Sequence, residues 1–169
     1  RMVDHVASFN LPYTEDSRRN LIAEGIHPRF IQKTGSPIPE VFEYYKPRIL
    51  ESSALDDLGL SKGKYFLVSV HRQENVDTPE RLGMVLDCIS AVRRNWGLPV
   101  LVSTHPRTRA RLEALGVNSL EGVIFHKPFG FLDYNRLQID AKCVISDSGT
   151  ISEEASIVGF DAVSLREAT

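Results

Sequence analysis

From Lys64 onward the sequence alternates short apolar runs with longer amphipathic stretches, and this alternation leaves few folds open to the chain. The apolar runs are rich in β-branched residues and show no strict polar–apolar alternation, which is typical of strands covered on both faces. The five runs are 66–70, 100–104, 123–125, 144–146 and 162–165. Strands that alternate with helices at this spacing form right-handed crossovers. The pattern therefore predicts an α/β fold with a doubly wound parallel sheet.

Helix signals fill the gaps between the predicted strands. After Thr78, an apolar residue recurs at every third or fourth position over about 79–95, and Gly97 then supplies an end. The same reasoning predicts helices at 107–115, at 133–141 and between Gly149 and Gly159.

The first third of the chain follows another pattern. Thr14, with two acidic residues after it, predicts the start of a helix that Gly25 ends. Residues 9–11 and 30–34 each predict a further strand. An amphipathic helix is predicted after a Gly-Ser-Pro turn that follows the second of these strands.

These patterns predict two parts of unequal size. The stretch 33–37 is typical of a linker, so we assign residues 1–32 to the trailing part of an N-terminal domain and its linker. Residues 33–169 form the predicted C-terminal domain. Because the sequence opens on Arg1 and stops soon after a predicted strand, we expect an internal fragment of a longer protein, with the C-terminal domain cut short.

The composition excludes several classes of protein. A length of 169 residues suits about one domain, and 42% hydrophobic with 25% charged residues excludes a disordered tail, a coiled coil and a collagen-like repeat. The formal net charge of -2 supplies no positive field for nucleic acid or an anionic membrane, and no apolar run approaches the roughly 20 residues of a bilayer span. We therefore expect a cytoplasmic protein that binds neither nucleic acid nor membrane. Cys88 and Cys143 are interpreted as core residues, not as a disulfide or a metal site.

Polar residues directly follow three of the predicted strands. His71 and Arg72 follow the first strand, His105 follows the second, and residues 147–150 follow the fourth. Ligands of open parallel sheets bind at the carboxyl ends of the strands, so these residues should meet at one edge. A lone histidine or a Ser-Gly turn is more often structural, and Asp147 could serve only to brace its turn. Their joint occurrence favours a binding site.

The turn after the fourth strand has the clearest chemistry. A helix begins after Gly149, so the backbone N–H groups at 148–151 lack intrahelical partners and lie at the positive end of the helix dipole. A phosphate fits such a site without an excess of lysine. Gly149 lets the backbone approach a ligand closely, and the hydroxyls of Ser148 and Thr150 add donors. A carboxylate such as Glu154 in the same helix suits sugar hydroxyls, and no His or carboxylate spacing predicts a metal site.

Three segments together resemble the signature segments of the non-hydrolysing UDP-N-acetylglucosamine 2-epimerase family. They are VHRQEN at 70–75, STHPR at 103–107 and SDSGTISEE at 146–154. Further segments that are similar to the family are RMVDH at 1–5, LPYTE at 11–15 and TGSP at 34–37. The resemblance therefore covers nearly the whole chain.

The resemblance implies the two-domain GT-B architecture, with residues 33–169 as the Rossmann-like, UDP-binding C-terminal domain. It implies inversion at C2 of a UDP-linked 2-acetamido sugar: a base removes the C2 proton, UDP leaves by elimination, and UDP adds back after reprotonation from the opposite face. The resemblance implies no metal, nicotinamide or other cofactor. It does imply a homodimer. The carboxylates that move the C2 proton belong to the family's N-terminal domain, so we expect the isolated chain to bind UDP weakly and to catalyse nothing.

The resemblance also assigns roles at the phosphate end of the site. His71 matches a histidine near the diphosphate that is important for catalysis, and Arg72 matches its neighbour. Ser148 and Gly149 match the phosphate site at the start of the helix. Thr150 departs from the family, because many members have a second glycine there.

At the nucleoside end, His105 matches a histidine that contacts the nucleotide, and Glu154 matches the carboxylate that holds the ribose hydroxyls. Tyr134 falls where the family has an aromatic residue beside the uracil, and Arg166 resembles a further arginine of the nucleotide site. These assignments are what the resemblance implies for the UDP part of a substrate.

The resemblance leaves the substrate open. One candidate is UDP-N-acetylglucosamine, interconverted with UDP-N-acetylmannosamine. The other is UDP-2-acetamido-2,6-dideoxy-L-talose, which gives UDP-N-acetyl-L-fucosamine, because 4–5, 11–15 and 129–134 resemble the capsule and O-antigen branch. Candidates from other classes are a GT-B glycosyltransferase and a non-catalytic module that binds nucleotide sugars, since both also seat a nucleotide at this edge.

Overall fold

The computed structural model describes residues 1–166 and divides the chain into two compact units, Arg1–Glu43 and Tyr44–Thr169. The predicted boundary, between residues 32 and 33, lies within the first unit. The assignment of residues 1–32 to a preceding domain therefore stays a prediction.

The helices and strands alternate in the larger unit as the sequence predicts. The strands are β1 (Phe66–Ser69), β2 (Val100–Ser103), β3 (Val123–His126), β4 (Cys143–Ser146) and β5 (Ala162–Ser164). The helices are α1 (Met2–Val6), α2 (Glu15–Ala23), α3 (Ile38–Leu50), α4 (Ala54–Asp57), α5 (Gln73–Val76), α6 (Pro79–Trp96), α7 (Pro106–Ala114), α8 (Phe131–Asp140) and α9 (Ile151–Val158).

All five strands lie parallel in one sheet of order β3-β2-β1-β4-β5. The first strand in the chain lies in the middle, with β2 and β3 on one side and β4 and β5 on the other. This order confirms the predicted α/β fold with a doubly wound parallel sheet. The direction of winding reverses between β1 and β4, which is where open sheets of this kind bind ligands.

The core lies on both faces of the sheet. Leu67 packs into one apolar cluster, while its neighbours Phe66 and Val68 pack into the other. Successive side chains of a strand point to opposite faces, so both faces of β1 are covered. This is why the strand runs are apolar throughout.

Local signals explain where the helices begin and end. The Thr78 hydroxyl accepts a hydrogen bond from the Arg81 N–H at 3.3 Å and so caps α6, and Pro79 occupies its first turn. Gly97 then adopts φ 66°, a left-handed conformation that glycine takes without steric cost, and the helix ends there. The predicted ends of α7, α8 and α9 agree with the structure to within about two residues, a usual uncertainty of helix bounds.

The predicted strands at 9–11 and 30–34 are wrong as regular strands. The two segments share one parallel bridge, between Asn10 and Ile31, and part of the second segment lies in the 3-10 helix Pro28–Phe30. Beyond this bridge the Pro12 carbonyl accepts the Thr34 N–H at 3.2 Å, but Pro12 has no N–H group to donate in return. A β-rich composition therefore predicts extended backbone here but not a strand.

Candidate functional site

The strand register brings three polar loops to one level of the sheet. Val68 pairs with Val102 of β2 and with Ile145 of β4. Because the strands are parallel, His71, His105 and the turn after β4 leave the sheet at the same edge. The structure therefore brings the predicted site residues of these loops to the edge where the winding reverses.

Asp147 joins the loop after β1 to the end of β4. Its carboxylate is fully buried and accepts hydrogen bonds from the backbone N–H groups of His71, at 3.1 Å, and Arg72, at 2.8 Å. The Asn75 side chain donates a third, at 3.0 Å, and a further bond at 3.2 Å to the carbonyl of Leu165. Asp147 thus braces its turn, which was one interpretation of the sequence. It also fixes the loop after β1.

The His71 imidazole is placed by the same carboxylate. Its Nδ1 atom lies 3.1 Å from Oδ1 of Asp147, and the side chain is 51% exposed. When the imidazole is protonated, it forms an ion pair with a carboxylate that solvent does not reach. His71 therefore combines a fixed position with access to a ligand.

Two guanidinium groups converge on Gly149. A Cβ atom at this position would lie 3.6 Å from Nη1 of Arg166 and 3.8 Å from Nη2 of Arg72. The absence of a side chain thus leaves open the space between two positive charges. The structure describes Arg166 as exposed, so its charge faces solvent at this edge.

The helix that follows Gly149 starts without a side-chain cap. Thr150 occupies the capping position of α9, but its side chain accepts no hydrogen bond from the helix. The backbone N–H groups of Ile151, Ser152 and Glu153 are those that a helix leaves without intrahelical partners. These amides form a positive site that suits an anion.

The hydroxyls around this turn bond one another and a carboxylate. Thr150 Oγ1 donates to Oε1 of Glu154 at 2.6 Å, and Ser148 Oγ lies 3.0 Å from Thr150 Oγ1. The other carboxylate oxygen of Glu154 accepts from Nε2 of Gln138 at 3.0 Å. Glu154 is therefore held at both oxygens. Gln138 was not singled out in the sequence, because its partner Glu154 lies in another helix, 16 residues further along the chain.

Tyr134 lies in the first turns of α8, at the same edge of the sheet. Burial raises the pKa of its hydroxyl, a hydrogen bond with Ser69 opposes this, and the carboxylates of Glu154 and Asp147 raise the pKa further. Tyr134 therefore stays neutral, and its hydroxyl lies among the residues that end β1 and β4.

His105 has a structural role at the start of α7. Its Nδ1 atom accepts a hydrogen bond from the Arg107 N–H at 3.3 Å and so caps the helix. An Nδ1 that accepts leaves the proton of the neutral ring on Nε2. Arg107 in turn donates to Asp77 at 2.6 Å, which ties α7 to the end of α5. His105 thus presents a donor at the exposed edge.

The two cysteines are free thiols that are less buried than core residues, since both are only partly buried. Cys143 packs against the core cluster that contains Phe66 and Val68. Burial raises the pKa of the Cys143 thiol, so it is a poor nucleophile.

Among residues 1–166, no group of three His, Cys, Asp or Glu side chains is arranged to hold a metal ion. None of the helices described is long and apolar enough to cross a membrane.

The comparisons with known proteins agree with this arrangement. The family model described as UDP-N-acetylglucosamine 2-epimerase matches residues 1–169. A Methanococcus maripaludis protein named UDP-N-acetylglucosamine 2-epimerase is 31% identical over 176 residues, which are 99% of this chain and 48% of that protein. The chain spans about half the length of the curated relatives it matches.

Two solved structures are similar over almost the whole chain. The UDP-N-acetylglucosamine 2-epimerase of Rickettsia bellii is 42% identical with a TM-score of 0.89, and the match covers 99% of this chain and 44% of that one. The Methanocaldococcus jannaschii enzyme in complex with UDP-GlcNAc and UDP is 28% identical with a TM-score of 0.89, over 99% and 48% of the two chains. Such enzymes have the GT-B fold, so the predicted Rossmann-like domain of that architecture is confirmed.

Proposed function

The chain belongs to the UDP-N-acetylglucosamine 2-epimerase family, and we propose that it holds the uridine diphosphate of a substrate whose C2 carbon the complete enzyme inverts. One observation carries this proposal: the edge between β1 and β4 combines a buried carboxylate under His71, two guanidiniums beside Gly149 and a helix start without a side-chain cap. These groups suit a ligand with two adjacent phosphates.

The diphosphate lies, in this proposal, between Gly149 and the first amides of α9. Arg72 and Arg166 neutralise it from the side, because both guanidiniums face the open space at Gly149. The hydroxyl hydrogens of Ser148 and Thr150 are used within the turn, so the backbone supplies the donors. The site thus binds an anion although the chain carries no net positive charge.

The nucleoside is proposed to extend from α9 towards α8. Glu154 accepts hydrogen bonds from the ribose hydroxyls, since a carboxylate has more acceptor positions than its two present partners occupy. Tyr134 lies beside the uracil, and His105 contacts the nucleotide with its Nε2–H. These roles follow from family membership and from the common edge at which the residues lie.

The proposed chemistry is elimination of UDP and its return. When the C–O bond to the diphosphate breaks, negative charge grows on the departing oxygen. His71, Arg72 and the start of α9 stabilise this charge more in the transition state than in the bound substrate, which accelerates the step. We expect the carboxylates that move the C2 proton to lie outside these 169 residues.

The sugar remains open between the two candidates, UDP-N-acetylglucosamine and UDP-2-acetamido-2,6-dideoxy-L-talose. Both share the UDP that this part of the enzyme is proposed to hold. The second candidate would place the enzyme in capsule or O-antigen synthesis. We also propose that the complete enzyme is cytoplasmic and forms a homodimer.

Deuterium exchange tests the reaction against the other function classes. The enzyme that contains this chain is incubated in deuterated water with each UDP-sugar, and the C2 hydrogen is followed by NMR. An epimerase incorporates deuterium at C2 of its substrate and forms the second epimer. A GT-B glycosyltransferase would leave C2 unlabelled, and a binding module would retain the sugar unchanged; either result refutes the proposal.

A further inference from the structure

Gln138 is a buried polar side chain with one unsatisfied oxygen atom. Its side chain is 1% exposed, and its Oε1 atom has no hydrogen-bonding partner among the described residues. A buried amide with an unpaired oxygen destabilises a protein, and an apolar side chain of similar size would avoid this. The one hydrogen bond of the amide goes to Oε2 of Glu154.

Thr150 also gives up a stabilising role. A threonine at the capping position normally accepts a hydrogen bond from the helix backbone, as Thr78 does in α6. Thr150 instead turns its hydroxyl to Oε1 of Glu154, at 2.6 Å. Gln138 of α8 and Thr150 at the start of α9 therefore both donate a hydrogen bond to the Glu154 carboxylate.

We propose that Thr150 and Gln138 are positioning residues that fix the Glu154 carboxylate for the ribose, so that the site selects UDP over 2′-deoxy-UDP. The inference rests on the proposed function, because it needs UDP in the site. Each partner holds one carboxylate oxygen, and each oxygen keeps a lone pair for a ligand. A carboxylate fixed in advance binds hydroxyls without losing further freedom of its side chain.

The Thr150 hydroxyl reaches Glu154 across one helical turn. A residue without a hydroxyl at this position could not make this hydrogen bond.

The test uses the 169-residue chain and two nearly isosteric variants, Gln138→Met and Thr150→Val. Calorimetry gives the dissociation constants for UDP and 2′-deoxy-UDP, and thermal denaturation gives the midpoint of unfolding. We expect the wild-type chain to prefer UDP about tenfold, the contribution of a hydrogen bond to a charged group. Both variants should bind UDP more weakly and lose most of this preference. Gln138→Met should unfold at the same or a higher temperature.

Four further variants separate positioning from structure. Thr150→Ser returns a hydroxyl and should regain most of the preference that Thr150→Val loses. Glu154→Ala should abolish the preference, and adding Gln138→Met to it should change nothing more. Thr78→Val removes a true helix cap, so it should lower the unfolding midpoint and leave the preference intact.

The outcomes separate this inference from the proposed function. A wild-type chain that does not bind UDP refutes both. If the wild-type chain binds UDP and both variants keep the preference, the inference alone is wrong. A Gln138→Met variant that unfolds at a lower temperature but keeps the preference would show that Gln138 is structural.

Discussion

The Nδ1 atom of His71 lies 3.1 Å from Oδ1 of Asp147, and this contact connects the ends of the two strands between which the winding of the sheet reverses. The same carboxylate accepts hydrogen bonds from the backbone N–H groups of His71 and Arg72. One buried charge therefore fixes both the loop and the imidazole that the proposed reaction needs.

Removal of this charge should weaken the fold. In Asp147→Ala, two backbone N–H groups and the Asn75 amide lose their acceptor at a buried position, so we expect the free energy of unfolding to fall by about 2 to 4 kcal/mol. Asp161→Ala is the control, because Asp161 is exposed just before β5, and it should cost less than about 0.5 kcal/mol. Urea denaturation measures both. Equal losses of free energy in the two variants would show that Asp147 contributes no more to stability than an exposed carboxylate.

Removal of the imidazole should affect catalysis more than binding. In the enzyme that contains this chain, His71→Ala should lower the turnover number about a hundredfold or more, as loss of a positioned charge or proton donor commonly does. The affinity for UDP should change far less, since the guanidiniums and the α9 amides remain. Steady-state epimerisation and calorimetry give the two numbers. A UDP affinity that falls as much as turnover would assign His71 to ground-state binding.

A methyl group at position 149 should separate binding from stability. The added Cβ meets Arg72 and Arg166 at ordinary contact distances, so Gly149→Ala should change the free energy of unfolding by about 0.5 kcal/mol or less. The methyl group occupies the proposed diphosphate position, however, so the affinity for UDP should fall at least about tenfold.

The matched control for this substitution is Gly83→Ala. Gly83 lies within α6, and a Cβ there meets no atom within 4 Å. Alanine should stabilise the helix by about 0.5 to 1 kcal/mol and leave UDP binding unchanged. Calorimetry that finds normal UDP affinity in Gly149→Ala would remove the diphosphate from this position.

Stability should decline in alkaline solution because of buried tyrosine. Burial raises the pKa of Tyr65 and of Tyr134. Above about pH 10 the unfolded chain has lost these protons while the native chain still binds them, so the free energy of unfolding falls as the pH rises. Urea denaturation at about pH 8 and pH 10.5 measures this slope.

Tyr65→Phe tests the origin of the slope. At neutral pH it removes the hydrogen bond from Tyr65 to the Leu137 carbonyl and should cost about 1 kcal/mol. In alkaline solution the variant should lose less stability than the wild-type chain, because one of the three groups with a raised pKa, Tyr65, Tyr134 and Cys143, is gone. Identical slopes in both proteins would contradict the assignment to Tyr65.

Much of the fold follows from the sequence because hydrophobic period and helix ends are local signals. The apolar runs of β1 to β5 and the glycines that end α6 and α9 are read from a few neighbouring residues. The failure at 30–34 has a non-local cause in part: Pro12, which is far away in the sequence, has no N–H group to donate to this segment.

The site is predictable only where the strand ends reveal it. His71 and the turn at Gly149 follow strands and could be placed at one edge before any coordinates. The roles of Asn75 and Gln138 could not, because their partners lie 72 and 16 residues away in the chain. The capping role of His105 depends on which ring nitrogen faces the backbone, and no spacing reports that.

The position of β1 and β4 in the middle of the sheet has a consequence for how the protein comes apart. Each is hydrogen-bonded to a strand on both sides, whereas β3 and β5 are bonded on one side only. Amide exchange should therefore start from the rims, while the junction at Asp147 persists until global unfolding. The ligand-facing edge is then among the last parts of the molecule to lose its shape.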